Sequence, residues 1–132
     1  MKASEIKYIV IHCSDSPHGR GDNAETIHQW HKERGWAGIG YHKIILEDGR
    51  VENGRPLYWR GAHVKHHNSE SLGVVLFGKG AYTPNQWLSL PSLIHELLEY
   101  APNAKVVGHN YLDSSKGCPL FDVKSWWNSL GE

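Results

Sequence analysis

Two short apolar runs, KYIVIHC at residues 7–13 and LGVVLFG at 72–78, do most to restrict what this chain can fold into. A strand with one wet face alternates apolar and polar residues, and a strand covered on both faces reads as a continuous apolar stretch. LGVVLFG is of the second kind and suits the centre of a sheet. KYIVIHC reads as a buried strand that stops at the turn formers SDSPHGRGDN, which leaves His12 at its C-terminal end.

Buried strands need covering layers, and the rest of the chain supplies them. In NAETIHQWHKERG, residues Ile27, Trp30, His31 and Arg34 recur at helical spacing, with Asn23 or Asp22 as cap and Gly35 as stop. The pattern predicts an amphipathic helix with Ile27 and Trp30 facing inward. TPNQWLSLPSLIHELLEY pairs Thr83 with Gln86 as a capping box, and Trp87, Leu90, Ile94, Leu97 and Leu98 form an apolar stripe. Pro91 interrupts that stripe and predicts a kink or a short break.

GIGYHKIILEDGRVENGR alternates about Asp48-Gly49, a hairpin signal, with Tyr41 opening the first strand. KVVGH predicts a short strand ending in His109, and DVKSWWNSL a terminal helix capped by Asp122. Interleaved strands and helices with one hairpin predict an α/β fold: a single domain over residues 1–132, with a central mixed β-sheet flanked by helices.

Composition excludes several functions. Lys plus Arg equal Asp plus Glu at 14 each, so the broad basic face of a nucleic-acid binder is missing. The apolar run YIVI is too short for a signal-peptide core or a membrane span, which predicts synthesis and folding in the cytoplasm and no membrane partner. Two cysteines in a reducing compartment argue against a disulfide framework and exclude a four-thiolate zinc site. A metal in this chain would have to lean on its ten histidines.

The stretch GHNYLDSSKGCPLFD, residues 108–122, then poses a question, because it sets Cys118 in a turn-rich span. Its thiol reads as structural, as half of a disulfide or as a metal ligand. His12 and His109 both stand at the C-terminal ends of predicted strands, where open sheets place their sites. Either histidine alone is more often hydrogen-bonded to a loop. With Cys118 they make a set that zinc accepts, leaving a fourth position for water as catalytic sites do. Cys13 competes for the role, but strand neighbours face opposite ways, which makes it a small buried hydrophobe if His12 faces a site.

The blocks IVIHCSDSP, IHQWHKERGW, GIGYHKIILEDGRVENGR, RGAHVKHHNSESLGVVLFG and KVVGHNYLDSSKGCPLFDVKSWW carry a resemblance over nearly the whole chain. The chain resembles the zinc-dependent N-acetylmuramoyl-L-alanine amidases of the second type, above all small phage lysozymes, which are related to peptidoglycan recognition proteins. The resemblance implies that His12, His109 and Cys118 bind one Zn2+, and that hydrolysis depends on Tyr41 and Lys116. A lysine cation near the metal can stabilise an oxyanion, and a tyrosine hydroxyl can orient water or assist proton transfer.

The substrate so implied is peptidoglycan, cut between N-acetylmuramic acid and L-alanine by a phage endolysin during host cell lysis. Such an enzyme is made in the host cytoplasm without a signal peptide, and reaches the peptidoglycan layer of the periplasm after the membrane is permeabilised. His63 in GAHV is placed at the cleft edge, for substrate contact or for support behind the site. His66 stands where glycine is common in the family, and GHN also departs from the usual pattern. Two other implied readings are a peptidoglycan recognition module without catalysis and restraint of the phage RNA polymerase. A monomer is expected. His66 and His67 read as surface residues, and Trp36, Tyr58 and Trp59 as a groove lining or core.

Overall fold

Strand β1 (Tyr8–Cys13) pairs in parallel with two others, β4 (Ser71–Leu76) and β5 (Lys105–Gly108). Strands β2 (Lys43–Ile45) and β3 (Val51–Asn53) form the hairpin read at Asp48-Gly49, with β2 parallel to β4. The sheet order is β3-β2-β4-β1-β5, so it is mixed only at the β3 edge. The computed structural model describes residues 1–17, 19, 22–36 and 38–131.

All six residues of β4 are buried, as the unbroken apolar run predicts for a strand with neighbours on both sides. One face of the sheet packs Ile9, Ile11, Cys13, Val74 and Leu76 against helices α2 (Pro84–Tyr100) and α4 (Val123–Ser129). The other face sets Ile44, Val75 and Phe77 against α1 (Ala24–Glu33) through Ile27, with Trp30 partly buried beside them. His31, one turn beyond Ile27, is buried as well.

The caps follow the sequence. Asn23 and Thr26 exchange side-chain and backbone bonds at the start of α1, Thr83 and Gln86 do so at α2, and Asp122 accepts from Ser125 N–H at α4. Of the kink or short break expected at Pro91, the break does not occur, and α2 runs through it as one helix. Leu90, Leu93, Ile94 and Leu97 are each at most 3 % exposed around it. Burying each gains roughly 1.5–3 kcal/mol, which together exceeds the roughly 3 kcal/mol cost of an interior proline.

Tyr41 precedes β2 by two residues instead of opening it. His42 and Tyr41 still continue the pairing, since their carbonyls accept from Gly54 and Arg55 N–H. His66 is exposed as expected, whereas His67 is half-buried, with Nδ1 2.8 Å from the Glu70 carboxylate.

Candidate active site

Three parallel strands end together on one side of the sheet, and the chain leaves β1 and β5 there at His12 and His109. Their imidazoles converge, with ring centroids 4.5 Å apart. They open into a cleft of about 840 Å³ that Tyr41, His63, Lys116 and Cys118 also line. His109 begins a single helical turn, α3 (His109–Leu112), and the following loop folds back so that Asn110 N–H donates to the Cys118 carbonyl at 2.9 Å. That bond ties the loop at its neck and keeps Cys118 beside His109. Lys116 is exposed on the loop, its N–H held by the Asp113 carbonyl at 3.0 Å.

The Tyr41 ring packs 5.1 Å from that of His12. Burial pushes its hydroxyl up to about 12, against a weaker opposing pull from Arg34. Burial also holds His12 well below the usual imidazole range, reinforced by His63 and then His109. His109 is lowered too, by burial first, with Lys116 adding to the effect and Asp113 opposing it. Both imidazoles are therefore neutral near pH 7 and carry a lone pair, the form in which histidine ligates metals.

His63 is not at the cleft rim. It is 9 % exposed and sits behind His12, with Nδ1 2.9 Å from His12 Nε2 and Nε2 3.2 Å from Ser71 Oγ. With both ring nitrogens engaged inside the protein, the substrate-contact reading loses its polar atoms, and support of His12 is the role the geometry fits. Its pKa is pushed down to about 3, chiefly by burial.

The cysteines bear out one expectation and correct another. Cys13 is 5 % exposed and joins the core under α2 and α4, on the face opposite His12, as strand alternation requires. It is nevertheless bonded to Cys118 in a disulfide, with Cα atoms 5.5 Å apart. The sequence argued against a disulfide framework on the ground of a reducing compartment, left a bond open as one reading of Cys118, and gave no sign that residues 105 positions apart would meet. They meet because β1 ends where the Cys118 loop returns from β5. Among the described residues no three His, Cys, Asp or Glu side chains form a ready metal cluster. Cys118 Sγ is engaged in the disulfide. In the dithiol form two neutral imidazoles and a neighbouring thiolate match zinc's preferred donors, so the residues fit the ion once that bond is reduced.

Two residues that sequence reasoning left out of the site belong to it. His31 lines the cleft, its Nδ1 accepting from Gly40 N–H at 2.9 Å and its ring 4.5 Å from that of Trp36. Its spacing four residues beyond Ile27 was the available signal. Ser71 is fully buried, and only its place at the start of an otherwise apolar strand hinted at a role. Trp36 lines the cleft as read, whereas Trp59 lines a separate cavity of about 520 Å³ with His28 and Arg55.

Residues 2–120 match the family model described as N-acetylmuramoyl-L-alanine amidase. The chain belongs to that family. This amidase is 40 % identical over 134 residues to an endolysin of Klebsiella phage KP32, spanning 96 % of this chain and 88 % of the relative. It is 42 % identical over 127 residues to the endolysin of Escherichia phage T7, spanning 90 % and 83 % respectively. Among solved structures it is similar to the amidase endolysin LysCS from Clostridium intestinale, with TM-score 0.82, 28 % identity and coverage of 96 % and 86 %. Drosophila PGRP-LB is similar too, with TM-score 0.78, 27 % identity and coverage of 98 % and 81 %. The amidase and peptidoglycan-recognition fold expected from the sequence is therefore the fold observed.

Proposed function

We propose that this amidase uses one Zn2+, held by His12, His109 and Cys118, to hydrolyse the amide joining the lactyl group of N-acetylmuramic acid to L-alanine in peptidoglycan. The observation that carries the reading is the meeting of His12, His109 and Cys118 in one cleft with Tyr41 and Lys116 on its walls. When bound, zinc polarises the scissile carbonyl and makes water a nucleophile near neutral pH.

The chain's own residues do the rest. Lys116 brings a cation to the cleft from an exposed loop, where it can offset the negative charge that builds on the carbonyl oxygen during attack. Tyr41 keeps its proton at working pH, so it serves as a hydrogen-bond donor that orients water or meets the departing amine. Trp36 and Tyr41 give the cleft aromatic surface.

The similarity to phage endolysins supports a lytic role: synthesis in the host cytoplasm and action on the periplasmic peptidoglycan once the membrane is opened. Retention of the whole set His12, His109, Cys118, Tyr41 and Lys116 favours hydrolysis over recognition alone. Mass analysis of peptidoglycan digested by the reduced, zinc-loaded protein tests the reading. New L-alanine amino termini without new reducing sugars are expected, and sugar release instead would overturn it.

A further inference from the structure

Ser71 connects to His12 through an ordered chain of hydrogen bonds. Its hydroxyl, buried at 0 % exposure, donates its one proton to the His67 carbonyl at 2.7 Å. Towards His63 Nε2, 3.2 Å away, the same oxygen is then left to accept, so the proton lies on Nε2 of His63. In a neutral imidazole that leaves Nδ1 bare, and this nitrogen faces His12 Nε2 at 2.9 Å. His12 must therefore donate from Nε2, and its unprotonated nitrogen is Nδ1.

The surroundings hold this chain in place. Ser71, Gly73 and Val75 of β4 share a sheet face with Tyr8, Val10 and His12 of β1, their register partners. The rows of Ser71 and His12 are about 13 Å apart at strand spacing, and Gly73 lies midway. His63 bridges the gap over that glycine, since a Cβ there would stand 2.6 Å from His63 Cγ. A Cβ at Gly61 would stand 2.5 Å from His63 Cδ2. The backbone N–H groups of His63 and Val64 both donate to Asn68 Oδ1, at 2.8 and 2.9 Å, so the segment bearing the ring is pinned as well.

We propose that Ser71 is a positioning residue for this amidase: through His63 it fixes the tautomer of His12, so that His12 presents Nδ1 to the metal. The role of Nδ1 as a metal ligand rests on the zinc reading, whereas the tautomer itself does not. Without Ser71, neither ring nitrogen of His63 is committed, and His12 divides between a form that offers Nδ1 and one that protonates it. Fixing a ligating histidine through its other nitrogen is worth about 10–100-fold in metal affinity.

The test combines imidazole 15N chemical shifts of the metal-free protein with zinc titration against a chelating dye in reducing buffer. Wild type should show both His12 and His63 protonated at Nε2 alone. Ser71→Ala should mix the tautomers and weaken zinc binding about 10–100-fold, and Ser71→Thr, which keeps the hydroxyl, should restore both. A wild-type spectrum with the His12 proton on Nδ1 overturns the proposal without recourse to any variant. Unchanged tautomers and zinc affinity in a folded Ser71→Ala protein also overturn it. A protein with the stated tautomers that takes up no zinc in reducing buffer supports the Ser71 chain and refutes the zinc reading, so the two failures are distinct.

Discussion

His12 and Cys13 are adjacent in β1 yet belong to opposite layers of the protein. His12 faces the cleft with His109 and Tyr41, whereas Cys13 is packed in the core beneath α2 and α4. Cys118 lies at the strand's end, lining the cleft and bonded to Cys13. Under the zinc reading a single sulfur would thus have two competing uses, as metal ligand and as half of the disulfide it forms here.

Zinc uptake should follow the oxidation state of this pair. Metal analysis after incubation with and without a thiol reductant is expected to give about one zinc per reduced chain and much less per oxidised chain. Cys118→Ser should abolish tight binding in either buffer, and Cys13→Ser should bind without reductant. Equal loss of zinc from both variants would contradict the separation of the two residues by strand face.

Lys116 is exposed on its loop and makes no core contact that a truncation would open. Lys116→Ala should leave the denaturant midpoint and zinc content unchanged, while turnover falls about 10²–10³-fold, the usual cost of removing one oxyanion-stabilising group. Loss of zinc along with the rate would make Lys116 a structural residue.

Tyr41 should act as a neutral hydroxyl throughout the working range, because burial pushes its pKa up to about 12. Tyr41→Phe is expected to retain zinc and lose about 10²–10⁴-fold in rate, the span of general acid–base assistance. The wild-type pH–rate profile should show no limb from this group below about pH 11. A tyrosinate absorbance rising near pH 10, the ordinary tyrosine value, in wild type and missing from Tyr41→Phe would refute the assignment.

The sheet, its order of elements and all three caps were legible because each rests on local pattern: unbroken apolar runs, helical spacing, a DG turn. The site was legible in part. His12 and His109 are marked by their strand ends, and Cys118 by its scarcity. The Cys13–Cys118 bond was not, since it depends on the end of β1 meeting a loop that returns from β5. The place of His63 was also hidden. Nothing in GAHV says that its ring will lie over Gly73 between Ser71 and His12, because that follows from the register of β4 on β1. At Pro91 a local penalty was visible, and the tertiary burial that keeps α2 continuous was not.

That balance at Pro91 makes a stability prediction. The proline leaves the Trp87 carbonyl without its helical N–H partner while α2 stays continuous, so the protein bears the cost of that missing bond. Pro91→Ala should stabilise the fold by about 1–3 kcal/mol, part of the helix penalty being returned through a freer unfolded chain. Urea unfolding should show the midpoint rise with an unchanged slope. A lower midpoint would mean that the ring itself packs against something the alanine cannot replace.

Acid should weaken the metal-free protein well above the pH at which carboxylates titrate. His31 is 5 % exposed and its pKa falls to about 4, by burial first and then by the charge of Arg34; His42 is lowered too, chiefly by burial. In the unfolded chain these groups titrate near about 6.5. Between the two values the unfolded state binds more protons than the folded one, so stability is fully present above about pH 6.5 and declines as pH falls towards about 4. Urea midpoints of the metal-free protein should therefore be lower at about pH 5 than at about pH 7.5, a window above the carboxylate range. His31→Gln, which cannot take up the proton, should flatten part of that slope. Equal midpoints at the two pH values would mean that His31 and His42 take up protons as readily in the folded protein as in the unfolded chain.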